Sequence, residues 1–124
     1  TLSCFVSAAK GEGFGLMQLQ ALAIGRPLIS IKWGGVAEFF EPEMGDGFAL
    51  NYELHPARFA YEGQGMWAVP SEYDLILSMQ SMYLNFSVPH SLGGVFYNFE
   101  RIAREAADFT WDKTVRNVTA PGRT

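Results

Sequence analysis

Cysteine, histidine and clustered positive charge are all scarce in this chain, and each shortage removes a class of function. Cys4 is its only cysteine, so no disulfide framework can hold the fold together. Cys4 sits in an apolar run, where a buried, inert thiol is the natural reading. The two histidines, His55 and His90, are far apart and leave no zinc-ligand spacing. Nine Lys and Arg stand against thirteen Asp and Glu, giving a net charge of −4. No basic block occurs, which argues against a nucleic-acid partner. No apolar run approaches the ~20 residues of a transmembrane helix. No charged-then-apolar signal segment is present. Repeats and low-complexity tracts are absent too. The sequence starts at Thr1, directly in a strand-like run, as expected for a piece of something longer.

What remains is rich in core material. Of 124 residues, 48% are apolar and 15% aromatic, enough for one folded domain over residues 1–124 and too much for disorder. The chain is organised around residues 7–16, Ser-Ala-Ala-Lys-Gly-Glu-Gly-Phe-Gly-Leu. The apolar run from Leu2 through Val6 leads in and a periodic segment, 16–24, leads out. This predicts a strand, a glycine-rich turn and a helix. Glycines at 11, 13 and 15 permit positive φ and close approach of a ligand. The helix start would offer free N–H groups and a positive dipole end, which suit phosphate. Glu12 would repel a phosphate, so its place is beside a neutral part of a ligand, such as sugar hydroxyls.

Further along, Leu16, Leu19, Leu22 and Ala23 predict one apolar helix face. Gly25 and Pro27 end that helix. Residues 28–31, Leu-Ile-Ser-Ile, read as a second strand. Trp33, Gly34 and Gly35 make a tight turn before a short helix over 36–40, which Pro42 and Gly45 break. Residues 48–50 predict a third strand. Residues 51–70 predict an irregular excursion with a hairpin carrying Met66, Trp67, Ala68 and Val69. Ser71 caps a helix whose inner face would be Leu75, Met79, Met82 and Tyr83. A loop over 85–94 precedes a helix over 95–109, with Phe99, Ile102, Ala103 and Ala106 on one side. Thr110 and Trp111 open a final turn, and residues 120–124 should fray. Strands alternating with helices predict an α/β fold, a partial Rossmann-like parallel sheet of about three strands with flanking helices. Ligands of such sheets bind beyond the carboxyl ends of the strands. Both glycine turns, 11–15 and 34–35, would face one crevice there.

Several motifs fail on spacing. The third glycine comes one residue too early for a dinucleotide fingerprint, and Trp33 stands where a ribose-binding acid is needed. No Gly-Lys-Ser/Thr follows the turn, which excludes a Walker loop. No Gly-x-Ser-x-Gly elbow exists for a hydrolase. The sequons at Asn85 and Asn117 read as chance matches.

Three blocks nevertheless carry a resemblance. They are Gly11-Glu12-Gly13-Phe14-Gly15-Leu16, Gln20-Ala21-Leu22-Ala23-Ile24-Gly25-Arg26-Pro27-Leu28-Ile29 and Gly34-Gly35-Val36-Ala37-Glu38. Together they resemble the retaining GT-B glycosyltransferases of group 1, which use nucleotide-activated sugars. Residues 67–70 and 109–114 are similar to later stations of the same domain. Residues 51–66 match nothing in it. The resemblance implies the truncated C-terminal half of a GT-B donor-binding domain. It implies transfer of a sugar from a nucleotide sugar with retained configuration, with no metal and no cofactor besides the donor substrate. Glu12 then takes the catalytic-site position beside the donor sugar. Gly11, Gly13, Phe14, Gly15 and Leu16 become donor-binding residues. Gln20 falls where the family carries a ribose-binding glutamate, and an amide accepts from a hydroxyl without the carboxylate's charge-assisted contact.

The acceptor-binding domain of that family is absent from the chain, and so are the basic residues that hold the leaving diphosphate. The expectation is therefore a fragment of a glycosyltransferase in glycan biosynthesis, inactive alone, with a UDP- or GDP-sugar as partner. A cytoplasmic location, or the inner face of a membrane, goes with it. The alternative is a non-catalytic nucleotide-sugar-binding or assembly module. Each residue also has a plain structural reading: Glu12 as a solvated turn residue, Gln20 as helix surface, Gly34 and Gly35 as a simple turn, Glu38 as a capping or pairing residue. Trp67 and Trp111 read as core or interface anchors. Finally, the strand from Leu2 through Val6 would be a bare sheet edge without its family neighbour, which predicts a homodimer along it.

Overall fold

The computed structural model describes residues 3–11, 14–59, 62–87 and 98–107. Strand β1 is Phe5–Val6, followed by helix α1, Leu16–Ala23, and strand β2, Leu28–Ile31. Two short 3-10 turns, Gly34–Glu38 and Pro42–Met44, lead to β3, Gly47–Leu50. Strands β4, Tyr52–Pro56, and β5, Met66–Pro70, precede helix α2, Glu72–Ser87, and helix α3, Phe99–Ala106. The class is α/β. A parallel sheet of order β1-β2-β3 and a separate antiparallel pair, β4-β5, make up the β structure of the described residues.

The central strand shows why the sheet is parallel and covered on both sides. All four residues of β2 are buried, as strands between two helical layers must be. Side chains alternate across it. Leu28 packs with Leu19 and Leu22 of α1, Val36, Phe39 and Phe40 of the connection, and Ile102 and Ala106 of α3. Ile29 and Ile31 pack on the other face with Leu50, Ala68 and Met82 of α2. Pairing continues the pattern, Phe5 beside Leu28 and Ile29 beside Phe48.

The helix ends follow local chemistry. Gly25 has φ 83°; its N–H donates to Leu22 O at 2.8 Å and the Arg26 N–H to Ala21 O at 3.0 Å. That is the Schellman closure that a left-handed residue permits. Ser71 Oγ accepts from the Asp74 N–H at 3.2 Å and caps α2. Asn98 Oδ1 accepts from the Arg101 N–H at 2.9 Å and caps α3.

Five expectations need adjusting. The first strand is the shorter Phe5–Val6, at the edge of the described sheet, with Phe5 half-buried and Val6 exposed; Leu2 lies outside the described residues. In α1 the buried residues are Gln18, Leu19, Ala21 and Leu22, while Leu16 is 54% exposed. The inner arc is rotated because Gln18 can be buried once its amide is bonded, here by donating to Ser7 Oγ. In α2, Met82 is buried and Leu75 half-buried, whereas Met79 and Tyr83 face outward. That helix also runs to Ser87, past the expected loop start. The last helix is the shorter Phe99–Ala106. Thr110, Trp111 and residues 120–124 fall outside the described residues.

Candidate functional site

The carboxyl ends of β1 and β2 deliver two loops to one edge of the sheet. The Ser7 N–H extends the pairing by donating to Ile29 O at 2.9 Å. Ser7 Oγ then accepts from the Ala9 N–H at 3.3 Å and from Gln18 Nε2 at 3.1 Å. This side chain ties the start of the loop to the helix that ends it. Gln18 is 2% exposed, so its amide acts as an internal strut.

Gly15 precedes α1 with φ 89° and ψ 51°. A Cβ there would stand 2.7 Å from Val36 Cγ2 and 3.4 Å from the Phe39 ring. Both the left-handed backbone and the close approach therefore demand glycine. Gly15 O accepts the first helical hydrogen bond, from the Leu19 N–H at 2.9 Å, and no side chain caps the helix start. The positive end of α1 is thus directed at the loop. Phe14 lies beside Phe39, with ring centroids 5.5 Å apart. The two glycine turns meet through these packed side chains.

The second boundary of this edge comes from β5. The Ala68 N–H donates to Lys10 O at 3.0 Å. Lys10 Nζ stands 5.5 Å from the centroid of the Trp67 ring, a cation–π spacing. Gly11 lies against the same ring, where a Cβ would be 4.0 Å from Trp67 Cδ1. Trp33, half-buried at the other turn, has its ring 6.5 Å from that of Tyr52.

Of the residues named from sequence, Phe14, Gly15 and Leu16 come together at the helix start. Gln20 is exposed one turn further on, on the same face as Leu16. Gly11 is set apart from them, against Trp67. Glu12 and Gly13 lie outside the described residues. Glu38 is exposed. Sequence reasoning assigned no role to Ser7, Lys10 or Gln18. The Ser7–Gln18 bond spans eleven positions and obeys no local period, and Lys10 acquires its partner from a strand more than fifty residues away.

Among the described residues, two titratable groups have shifted chemistry but stand apart from the loop's ligand-facing parts. Burial pushes the Cys4 thiol up to about 11, and its Sγ–H donates to Phe5 O at 3.6 Å; such a thiol is no nucleophile at neutral pH. Asp46, at the amino end of β3, is raised above 3.8, chiefly by burial, against the Glu41 N–H that donates to its Oδ2 at 3.0 Å. Among the described residues no group of three His, Cys, Asp or Glu is arranged to hold a metal, and no helix is long and apolar enough to cross a membrane. Comparison with known protein families, with curated proteins and with solved structures gave no match to this chain.

Proposed function

We propose that this chain is the donor-binding part of a glycosyltransferase of the retaining GT-B kind, a nucleotide-sugar site that needs further protein to turn over. One observation carries the reading. A left-handed glycine, wedged against the neighbouring turn, opens an uncapped helix at the carboxyl edge of a parallel sheet. Phosphate is the natural occupant of such a place. Lys10 adds positive charge to the loop that leads into it. The motif resemblance around Glu12 and Gln20 supplies the sugar and the nucleotide.

In this reading the diphosphate lies over the amides from Gly13 to Leu16. The ribose lies toward Gln20, and the donor sugar toward Glu12. The reaction is substitution at the anomeric carbon with configuration retained, and preorganised donors stabilise the departing diphosphate. The chain contributes donor contacts only, in the cytoplasm or at the inner face of a membrane. A non-catalytic assembly module is the second reading, favoured by the broad apolar outer face of α2.

NMR titration with UDP-glucose and GDP-mannose tests the site. Binding is expected on the order of millimolar, or ~4 kcal/mol, with shifts centred on residues 10–20. Shifts that avoid this segment would overturn the site. Gln20→Glu should tighten binding by up to ~10-fold, the gain of a charge-assisted ribose contact. An unchanged dissociation constant would reduce Gln20 to helix surface.

A further inference from the structure

Helix α2 carries its largest side chains on the wrong side for a free surface. Of its sixteen residues only Met82 is buried. Tyr73, Ile76, Leu77, Met79, Tyr83 and Leu84 are 41–72% exposed. From Leu75 through Ser87 no residue is charged. An exposed helix face normally carries its charges there. Positions 73, 76, 77, 80, 83, 84 and 87 repeat with the spacing of a helix–helix seam. A shallow groove of about 430 Å³ between Met79, Gln80, Tyr83 and Leu84 lies on this face.

We infer that this face is a two-fold interface that pairs α2 with α2 of a second copy of the chain, antiparallel. Self-complementarity selects that occupant. Gln80 sits at the middle of Glu72–Ser87 and is the polar residue at the centre of the seam. A two-fold axis through it sets Ile76 against Leu84 of the other copy, and Leu77 against Tyr83. Tyr73 then meets the small Ser87. The two Gln80 amides meet at the axis, where each can donate to and accept from the other. A central polar pair of this kind fixes register. Size agrees as well. The five exposed apolar side chains of the seam, Tyr73, Ile76, Leu77, Tyr83 and Leu84, present on the order of 600 Å², about three quarters of the ~800 Å² that each partner of a standard interface contributes. The helix would span ~24 Å of contact. The missing charge matters too, because copies of a chain of net charge −4 can approach along this face without like charges opposed. α2 covers the sheet face opposite α1, so the interface leaves the glycine loop open.

Sedimentation velocity on the whole chain, from ~5 to ~100 μM, provides the test. The wild type should sediment as a dimer at the upper concentrations. Tyr83→Glu should weaken association by about 100-fold, the effect of an interface centre replaced by a charge, with circular dichroism unchanged because the side chain is exposed. A Cys4→Ser, Gln80→Cys protein should form a disulfide-linked dimer on mild oxidation. A monomeric wild type at 100 μM overturns the inference. So does a dimer that resists Tyr83→Glu yet dissociates with Val6→Lys, which would place the seam at the β1 edge instead.

Discussion

The two sheets among the described residues are held in opposite ways. In the parallel sheet every residue of β2 is buried, and its register with β3 is locked at Leu28 beside Gly47. In the antiparallel pair all five residues of β4 are exposed, and β5 buries Ala68 alone. The Ser71 N–H closes the base of that pair on Asn51 O, and the Ala68 N–H ties it to the loop after β1 by donating to Lys10 O. The difference shows where the folding energy lies. Parallel strands require crossovers that lay helices or packed turns on both faces, so their side chains are desolvated on both. A two-stranded hairpin needs no crossover but is barely stable alone, so β4-β5 depends on docking one small residue into the core. That docking brings Trp67 to Gly11 and Lys10 and completes the candidate site.

The comparison can be broken most severely at glycine. Gly47 has φ 134° and a Cβ would lie 1.9 Å from Leu28 O, while Gly63 in the hairpin loop has φ 79° and nothing within 4 Å. Gly47→Ala should cost at least ~3 kcal/mol, since backbone strain and a backbone clash add together. Gly63→Ala should cost only the left-handed term of ~1 kcal/mol. Urea unfolding midpoints of the two variants check this, and equal losses would contradict the assigned difference.

A second, smaller effect is expected from Asp46, which enters the parallel sheet next to Gly47. Its folded pKa lies above the unfolded value of 3.8 because it is buried. The folded state therefore holds the proton longer. Stability attributable to Asp46 is greatest below 3.8, falls as the pH rises from there to the folded pKa, and is level above it. Asp46→Asn keeps an acceptor for the Glu41 N–H and should remove this decline. Thermal melts from pH 3 to 7 should show a shallower loss for the variant than for the wild type.

The smallest effect should come from the hairpin's open face. Leu54 is 47% exposed on β4, and Leu54→Ala should change stability by no more than ~0.5 kcal/mol. A loss of several kcal/mol in urea unfolding would mean that β4 is covered in solution.

The legible parts of the sequence were those with strong local signals. The strand at 28–31, the cap at Ser71 and the helix stop at Gly25 each rest on neighbours in the chain, through β-branching, a hydroxyl acceptor or tolerance of positive φ. The hairpin strand around Trp67 could be anticipated from the glycines flanking it. The rotation of α1 was harder to see. Gln18 breaks the apolar pattern, and its bond to Ser7, eleven residues earlier, helps make its burial tolerable. In α2, apolar residues occupy nearly every direction around the helix, so periodicity could not select Met82 over Tyr83 as the inward side chain.

The chain by itself therefore determined the alternation of strands and helices, and with it an α/β fold in which loops gather at one sheet edge. Glycine marked most of the left-handed positions as well, among them Gly15 and Gly25, although Phe59 takes φ 59° and Gly11 has no positive φ. Tertiary structure decided which helix faces turn inward, because burial is a competition among faces for a single sheet surface. It also brought Lys10 against Trp67 and Gly15 against Val36, contacts that come from chain segments folding together and that no local period encodes.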